Sequence, residues 1–510
     1  MKCCEPRHLY NSDPENYARS RKLETATRIS ISVSQMILFL VAVLTLLLTN
    51  SGCNRSARSD SHAGKTGNSV TEAPSRLICG KQNDGLVHIP TNWATFVPPA
   101  KGQSYTDPAF GCAVKRLTDS SIDETDSNGA HLGLTHGYST YTPLNSTDTL
   151  VFIWGSDGTL RIRDTTGNVA VSAANMPGMN NGHPLWDASN GNVFYYTSGN
   201  TLYKGTVGGS SVVSTVVHTF TEYSAGINSP DNADLSKDGD HILLVGQNAN
   251  NTMDVFVWSL SLQSKTSKYT TSCTISGSVT GTNQPGCVHG LLLAANNLPV
   301  IGFGAEGSGA EQGDRLWNGS SLIHLQDFTN HIDVGSDLNG NPVYLESGNS
   351  TTLAGITNPC PSGWGLDVRQ MNNTSSAICL LDNQPAWHIS YRGSASQPWS
   401  VISFFQGNTP GPEFFTNDGN YQAPSSSNWA LYEDELILAR IDANNSSTKI
   451  YRLAHARTRA MEDFGAQPHA AISRDGKYVI FDSNMAHPNG CSGNWHVSTA
   501  CTDVFMINVQ

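Results

Sequence analysis

A histidine recurs just ahead of, or at the start of, a short β-like segment at six places along this chain: His136, His183, His289, His331, His388 and His469. Strand signals alternate with turn signals around them in units of roughly 40 to 60 residues, the period of propeller blades rather than of helical repeats. If each segment is the innermost strand of one blade, the imidazoles gather on a single rim.

The last unit is the clearest. His469-Ala-Ala-Ile-Ser473 reads as a first strand, Arg474-Asp-Gly476 as a tight turn, Lys477–Asp482 as a second strand and Asp503–Val509 as a third. A fourth strand is missing. Ala113-Val-Lys-Arg-Leu-Thr118 is an isolated strand-like segment ahead of the first full unit, and a ring closes well when an N-terminal strand completes the C-terminal blade. Blade one is read from Tyr138–Pro143, Leu150–Trp154 and Leu160–Arg163, and blade two from Pro184–Trp186, Val193–Tyr196 and Leu202–Lys204. Blade three is read from Ala233–Gly239, His241–Val245 and Val255–Trp258; blades four, five and six start near His289, His331 and His388. The expectation is an all-β propeller of about seven blades.

Composition agrees. The chain holds 47 Gly and 23 Pro, only 14% of its residues are charged, and no long 3.6-residue apolar period occurs outside the N-terminal segment. Residues 112–510 are assigned to one ring and 77–111 to an N-terminal extension.

Ahead of these lie a basic leader, 1–30, a signal or membrane-anchor segment, 31–49, and a flexible tether, 50–76. Met36–Leu48 is apolar except for Thr45 and follows Arg19, Arg21, Lys22 and Arg28. Three fates compete: a lipoprotein signal with Cys53 lipidated, an uncleaved anchor, and a cleaved signal. The lipoprotein reading is weakened by Asn50, where such signals usually carry Leu. All three place the ring outside the cytoplasm, in the periplasm or at the cell surface.

Cysteine usage points the same way. Beyond Cys53 the cysteines fall into close sequential neighbours, and we expect disulfides joining Cys79 to Cys112, Cys273 to Cys287, Cys360 to Cys379 and Cys491 to Cys501. The rival reading is a zinc site, but no Cys-x-x-Cys occurs in this region. A net charge of −12 argues against nucleic acid as a partner.

Function is expected on one face. Loops entering the inner strand and loops joining the second and third strands open on the same side, and the longest insertions, 348–365, 407–433 and 484–502, belong to the second class. They carry Trp364, Phe414, Phe415, Tyr421, Trp429, His487 and Trp495; with Trp399, the tryptophans Trp364, Trp429 and Trp495 are the candidate sugar-stacking residues. The competing reading is that these rings fold down and pin the loops.

The histidines divide. His136, His183 and His289 are assigned to bonding backbone carbonyls of neighbouring blades. His331, His388 and His469 head the blades with long loops, Asp333 stands two residues beyond His331, and Gln467 adds an amide. Neutral imidazoles with an amide oxygen suit a borderline divalent ion such as Mn, Fe, Ni or Zn, so His331, His388, Gln467 and His469 are the candidate ligands.

The segment Gln467–Asp482, the lead-in Asp107-Pro-Ala-Phe-Gly-Cys-Ala-Val-Lys-Arg-Leu-Thr-Asp119 and the histidine-headed strands resemble the oligogalacturonate lyase group of seven-bladed propellers, and more loosely TolB-type, WD40-like repeats. The resemblance implies a divalent ion, held by histidines and a glutamine, that binds a uronate carboxylate while a base removes the C5 proton and β-elimination breaks the glycosidic bond. Gln467 and His469 match the ligands of the final blade in kind, and His331 or His388 matches the earlier histidine. His388 and Arg392 are the candidate catalytic residues, Arg392 balancing a substrate carboxylate or standing as a solvated strand-end arginine. The chain departs from the family at Ala471, where a second histidine is usual; His487 or His496 would have to replace it.

Three functions stay open: a metal-dependent uronate lyase, a non-catalytic carbohydrate-binding propeller, and an envelope protein-interaction propeller.

Overall fold

The chain divides after Pro74, and the second unit, Ser75–Gln510, is compact. The computed structural model describes residues 78–510 apart from 93–94, 231–232, 276, 282–287, 304–308, 327–330, 338, 349–358, 363–364, 383–387, 392–398, 405–428, 442–449, 459–466 and 486–501. The leader, the apolar segment, the tether and Cys53 lie outside the described residues. Among the described residues no helix is long and apolar enough to cross a membrane.

The second unit is a propeller of seven antiparallel sheets. Blade one is Leu134–Thr135, Leu150–Gly155, Leu160–Asp164 and Val169–Val171, and blade two Leu185–Trp186, Val193–Ser198, Thr201–Gly208 and Ser211–Thr219. Blade three is Ile227–Asn228, His241–Gln247, Thr252–Ser259 and Ser264–Thr274; blade four is Val288–Leu293, Pro299–Phe303, Gly313–Trp317 and Leu322–Gln326. Blade five is His331–Ser336, Pro342–Gly348, Gly365–Gln370 and Asn373–Asp382, and blade six His388–Tyr391, Trp399–Ser403, Glu435–Arg440 and Ile450–His455. Blade seven is Ala471–Ile472, Tyr478–Ser483 and Asp503–Asn508, completed by Ala113–Arg116.

The closing strand is the one expected from the incomplete last unit. It runs antiparallel to the third strand of blade seven, Val114 opposite Ile507 and Arg116 opposite Phe505. Asp503 latches the junction: its carboxylate accepts from Arg116 Nη2 at 2.7 Å, Thr118 Oγ1 at 3.0 Å and the Ser120 amide at 2.6 Å. The seam between blades seven and one is also apolar, with Leu134 and Ile153 packed against Ile480 and Val504.

Each blade is buried on both faces by its neighbours, which is why its central strands read as unbroken apolar runs such as Leu150–Trp154 and Val255–Trp258. Two inner strands differ from the sequence reading. Blade one pairs through Leu134–Thr135, ahead of Tyr138–Pro143, and blade three through Ile227–Asn228, ahead of Ala233–Gly239. In both, the chain leaves the sheet early: Gly137 has φ +108°, and the Asn228 side chain donates from Nδ2 to the Asn181 carbonyl.

The N-terminal extension adds outer strands that the sequence reading lacked. Lys81–Gln82 extends blade six and Ser104–Thr106 extends blade seven, covering edges that would otherwise offer unpaired backbone groups. The Cys79–Cys112 disulfide staples this extension, and Cys360–Cys379 joins the loop of blade five to its outer strand. Cys273 is also disulfide-bonded. Cys287, Cys491 and Cys501 lie outside the described residues.

Candidate functional site

His331 and His388 open the inner strands of blades five and six, opposite Ser347 and Ser403 at the ends of the second strands. The second-to-third connections of these blades therefore leave from the histidine rim. In blade seven, His469 stands just ahead of Ala471–Ile472.

The fold brings the three imidazoles together. The His331 and His388 ring centroids are 4.7 Å apart and those of His388 and His469 4.2 Å apart. His388 Nε2 lies 3.0 Å from Gln467 Oε1, so the amide oxygen accepts its proton. Tyr138 completes the cluster: its ring sits edge-on to His388 and tilted against His469, and its hydroxyl lies 3.4 Å from His331 Nδ1. Sequence reading placed Tyr138 in a strand. The glycine between His136 and Tyr138 is the signal that was available, because its positive φ swings the tyrosine toward the channel.

Burial sets the charge of these groups. It holds His331 at about 4, and it keeps His388 and His469 well below the ordinary imidazole range, with neighbouring imidazoles adding to the depression. At neutral pH all three are uncharged and carry a lone pair, the form in which imidazole ligates metal.

The donor set fits a borderline divalent ion in kind: three neutral imidazoles and an amide oxygen. Its arrangement is not closed. Among the described residues, the one group of three His, Cys, Asp or Glu ligand atoms lying within 4.8 Å of one another is Cys360, Cys379 and Asp382, whose two sulfurs are already joined in a disulfide. The imidazoles pack ring against ring, and Gln467 is bonded to His388. An ion would have to part that pair and turn the rings.

Other candidate residues are placed elsewhere. Asp333 does not join the imidazoles: its carboxylate accepts the Val334 amide at 2.8 Å and the Tyr391 amide at 2.6 Å, fastening blade five to blade six. Trp399 begins the second strand of blade six, at the opposite end of the blade from His388, and packs edge-on to Tyr451. Trp429 is on the histidine side, just ahead of the third strand, but it is 7% exposed and offers no open face. Ala471 is buried and pairs with Ile480. Trp364, Arg392, Phe414, Phe415, Tyr421, His487, Trp495 and His496 lie outside the described residues.

His136 bonds a carbonyl of the neighbouring blade, Nε2 to His469 O at 3.0 Å. His183 stacks on Tyr141 at 4.0 Å and meets Trp154 edge-on, and burial holds it at about 3. The side chain of His289 lies outside the described residues.

A cavity of about 190 Å³ occupies the other end of the channel, lined in part by Asp234, Lys237, Asp333, Tyr391 and Arg474. Arg474 spans it from blade seven to blade three, donating to the Ser236 and Leu235 carbonyls and to Asp234. The histidines are not part of its wall.

No protein-family model matches this sequence, and no curated protein does. Solved structures similar to the chain include an oligogalacturonate lyase in complex with manganese, at 11% identity and TM-score 0.47, covering 80% of this chain and 96% of that one. A second is an oligogalacturonate lyase from Vibrio parahaemolyticus, at 11% identity and TM-score 0.46 with the same coverage. The WD40 repeats of RRP9 follow at 11% identity and TM-score 0.39, covering 80% of this chain and 99% of that one. At these values the likenesses carry no argument about chemistry.

Proposed function

We propose that this protein is an exported propeller whose histidine rim takes up a divalent transition metal and acts on uronate-containing oligosaccharides as a β-eliminating lyase. One observation carries the reading: three neutral imidazoles and an amide from three successive blades meet at one rim, together with a tyrosine hydroxyl. His331, His388, Gln467 and His469 would hold the ion. When bound, the ion supplies positive charge to the uronate carboxylate, which makes the neighbouring C5 proton more acidic.

The remaining work falls to the chain's own groups. The Tyr138 hydroxyl lies 3.4 Å from Nδ1 of the neutral His331, and a proton can be exchanged between the two groups. The edge-on rings of Tyr138 and His388 leave little room for water between them. Arg392, one residue beyond the inner strand of blade six, is assigned to the second charge of an acidic oligosaccharide.

The export reading is supported by the disulfides Cys79–Cys112 and Cys360–Cys379, which belong in an oxidising compartment. A membrane anchor, a lipidated Cys53 and a cleaved signal are distinguished by the mass and detergent partitioning of the mature protein.

A second reading is a metal-free carbohydrate-binding or protein-interaction propeller, favoured by the ring-on-ring packing of the imidazoles. Transition-metal content of the purified protein, beside His469→Ala, decides between the two. Near-stoichiometric metal lost in the variant, with an unsaturated uronide formed from oligogalacturonate, supports the lyase. No metal in either protein after Mn or Zn is supplied removes that reading.

A further inference from the structure

We propose that His136 and Asp482 are positioning residues, which hold the Gln467–His469 turn where Gln467 and His469 meet the other rim histidines. Their functional meaning rests on the metal-binding reading above; the hold itself rests on hydrogen bonds.

His469 adopts φ +42°, a left-handed conformation that residues with a β-carbon seldom take unless surrounding bonds impose it. Those bonds are specific. His136 is fully buried, and its Nε2 faces the His469 carbonyl at 3.0 Å. A carbonyl can only accept, so Nε2 carries a proton and donates it. The other ring nitrogen, Nδ1, lies 2.8 Å from Asp482 Oδ1, and the same oxygen accepts the His136 amide at 3.0 Å. The Asp482 amide donates to the Pro468 carbonyl at 2.9 Å. Two residues on two blades thus fix two successive carbonyls of the turn.

The next residue is fixed from the far side. Ala470 donates its amide to Ser403 Oγ at 3.3 Å, and Ser403 lies 3.4 Å from the His388 carbonyl. His136 is itself locked: the Tyr141 hydroxyl donates to its carbonyl, and a β-carbon on the adjoining Gly137 would lie 1.8 Å from that hydroxyl oxygen.

A similar chain recurs where the Asp107 carboxylate accepts the His455 amide at 3.1 Å and His455 Nε2 lies 2.8 Å from the His88 carbonyl, tying the N-terminal extension to blade six. At the seam between blades five and six the Asp333 carboxylate reaches the Tyr391 amide directly, and between six and seven Ser390 Oγ accepts the Ile472 amide. What sets the rim turn apart is the residue held: there the imidazole reaches the carbonyl of His469, a candidate ligand in a left-handed conformation.

The test compares the full-length protein with His136→Ala, His136→Gln and Asp482→Asn. Mn and Zn binding by titration calorimetry is measured beside thermal stability and the ring-nitrogen NMR signals of His388 and His469. Partners that orient a metal ligand typically contribute tenfold to a hundredfold in affinity. We expect His136→Ala and Asp482→Asn to lose about that much, with His388 and His469 signals displaced, and His136→Gln, which keeps a donor, to recover part of it. Unchanged affinity and unchanged ring signals in folded variants overturn the proposal. If the wild type binds no metal, the lyase reading fails alone, and the ring signals still decide the positioning role. If the substitutions prevent folding, amide exchange in the wild type decides: slow exchange at Asp482, matching the core strands, supports the hold, and fast exchange refutes it.

Discussion

Asp503 should be the most consequential carboxylate for ring closure. Asp503→Ala removes the acceptor for Arg116, for the Thr118 hydroxyl and for the Ser120 amide, which join segments 383 or more residues apart in sequence. Arg116 retains Asp119 at 2.9 Å, so its guanidinium is not orphaned. The loss falls on the Thr118 hydroxyl and the Ser120 amide, both in residues with no exposed surface. Losing the acceptor of a buried donor costs about 1–3 kcal/mol, so the two losses together should cost the variant about 2–6 kcal/mol at pH 7. Asp503→Asn keeps one acceptor oxygen and should lose less. Its pH dependence separates charge from hydrogen bonding. Burial pushes Asp503 up from 3.8 to about 6, against the pull of Arg116. A raised carboxyl binds its proton more tightly in the folded chain, so its contribution is present below the unfolded value and is lost as pH rises through the folded one. The window runs from about pH 4 to pH 6, and the rise corresponds to about 3 kcal/mol. Asparagine lacks this titration, so Asp503→Asn should gain on the wild type by up to about 3 kcal/mol as pH goes from 4 to 7. Denaturant unfolding at several pH values, disulfides intact, measures both effects. An Asp503→Ala variant within about 0.5 kcal/mol of wild type, or an Asp503→Asn profile parallel to wild type, would show that the latch lies outside the cooperative unit.

Three further outcomes are expected. Breaking Cys360–Cys379 by Cys379→Ser opens a loop with a sequence separation of 19 and should reduce stability by about 3 kcal/mol, read by the same unfolding assay. Gly365→Ala should be severely destabilising, because φ is +150° and the new β-carbon would lie 2.1 Å from the Leu381 carbonyl oxygen; a mild effect on thermal unfolding would contradict the geometry of blade five. His331, held at about 4, stays neutral in the fold while the unfolded chain protonates, so its contribution is present above about pH 6.5 and is lost as pH falls toward 4. His331→Gln should therefore soften acid unfolding relative to wild type, by at most about 3 kcal/mol.

What the sequence made legible follows from what each feature depends on. The closing strand Ala113–Arg116 could be found because its absence from the last unit left a countable gap. The meeting of His331, His388 and His469 could be found because inner strands of successive blades start at one rim, so their register decides the geometry. Tyr138 escaped because its position depends on one backbone angle, at Gly137, rather than on a period. Strand alternation is silent about which polar atom lies across a seam, and so about the Tyr391 amide that the Asp333 carboxylate accepts. Trp399 lies away from the rim because an antiparallel second strand begins at the end of the blade opposite the start of the inner one, which an aromatic residue's type does not reveal. The two-residue strand Lys81–Gln82 is too short to carry any pattern.

The rim itself is a place where the fold breaks its own rule. Elsewhere the blades fill their contacts with aliphatic and aromatic side chains and with buried ion pairs such as Arg452–Glu435 and Arg369–Asp367, yet at this end of the channel three imidazoles are packed ring on ring, each held in the neutral form by burial. Packing alone does not require nitrogen there: leucine or phenylalanine would fill the same space without an acid-sensitive state. The left-handed backbone of His469 adds a conformational penalty of about 1–3 kcal/mol, and the fold sustains it with a fully buried histidine and aspartate that must themselves be desolvated. Neutral nitrogen is what metal binding and proton exchange both require, and a hydrophobic core requires neither. The same expenditure on a site without chemistry would leave a ring more stable, at every pH, after His331, His388 and His469 were replaced together by apolar residues, and that triple variant is the direct comparison.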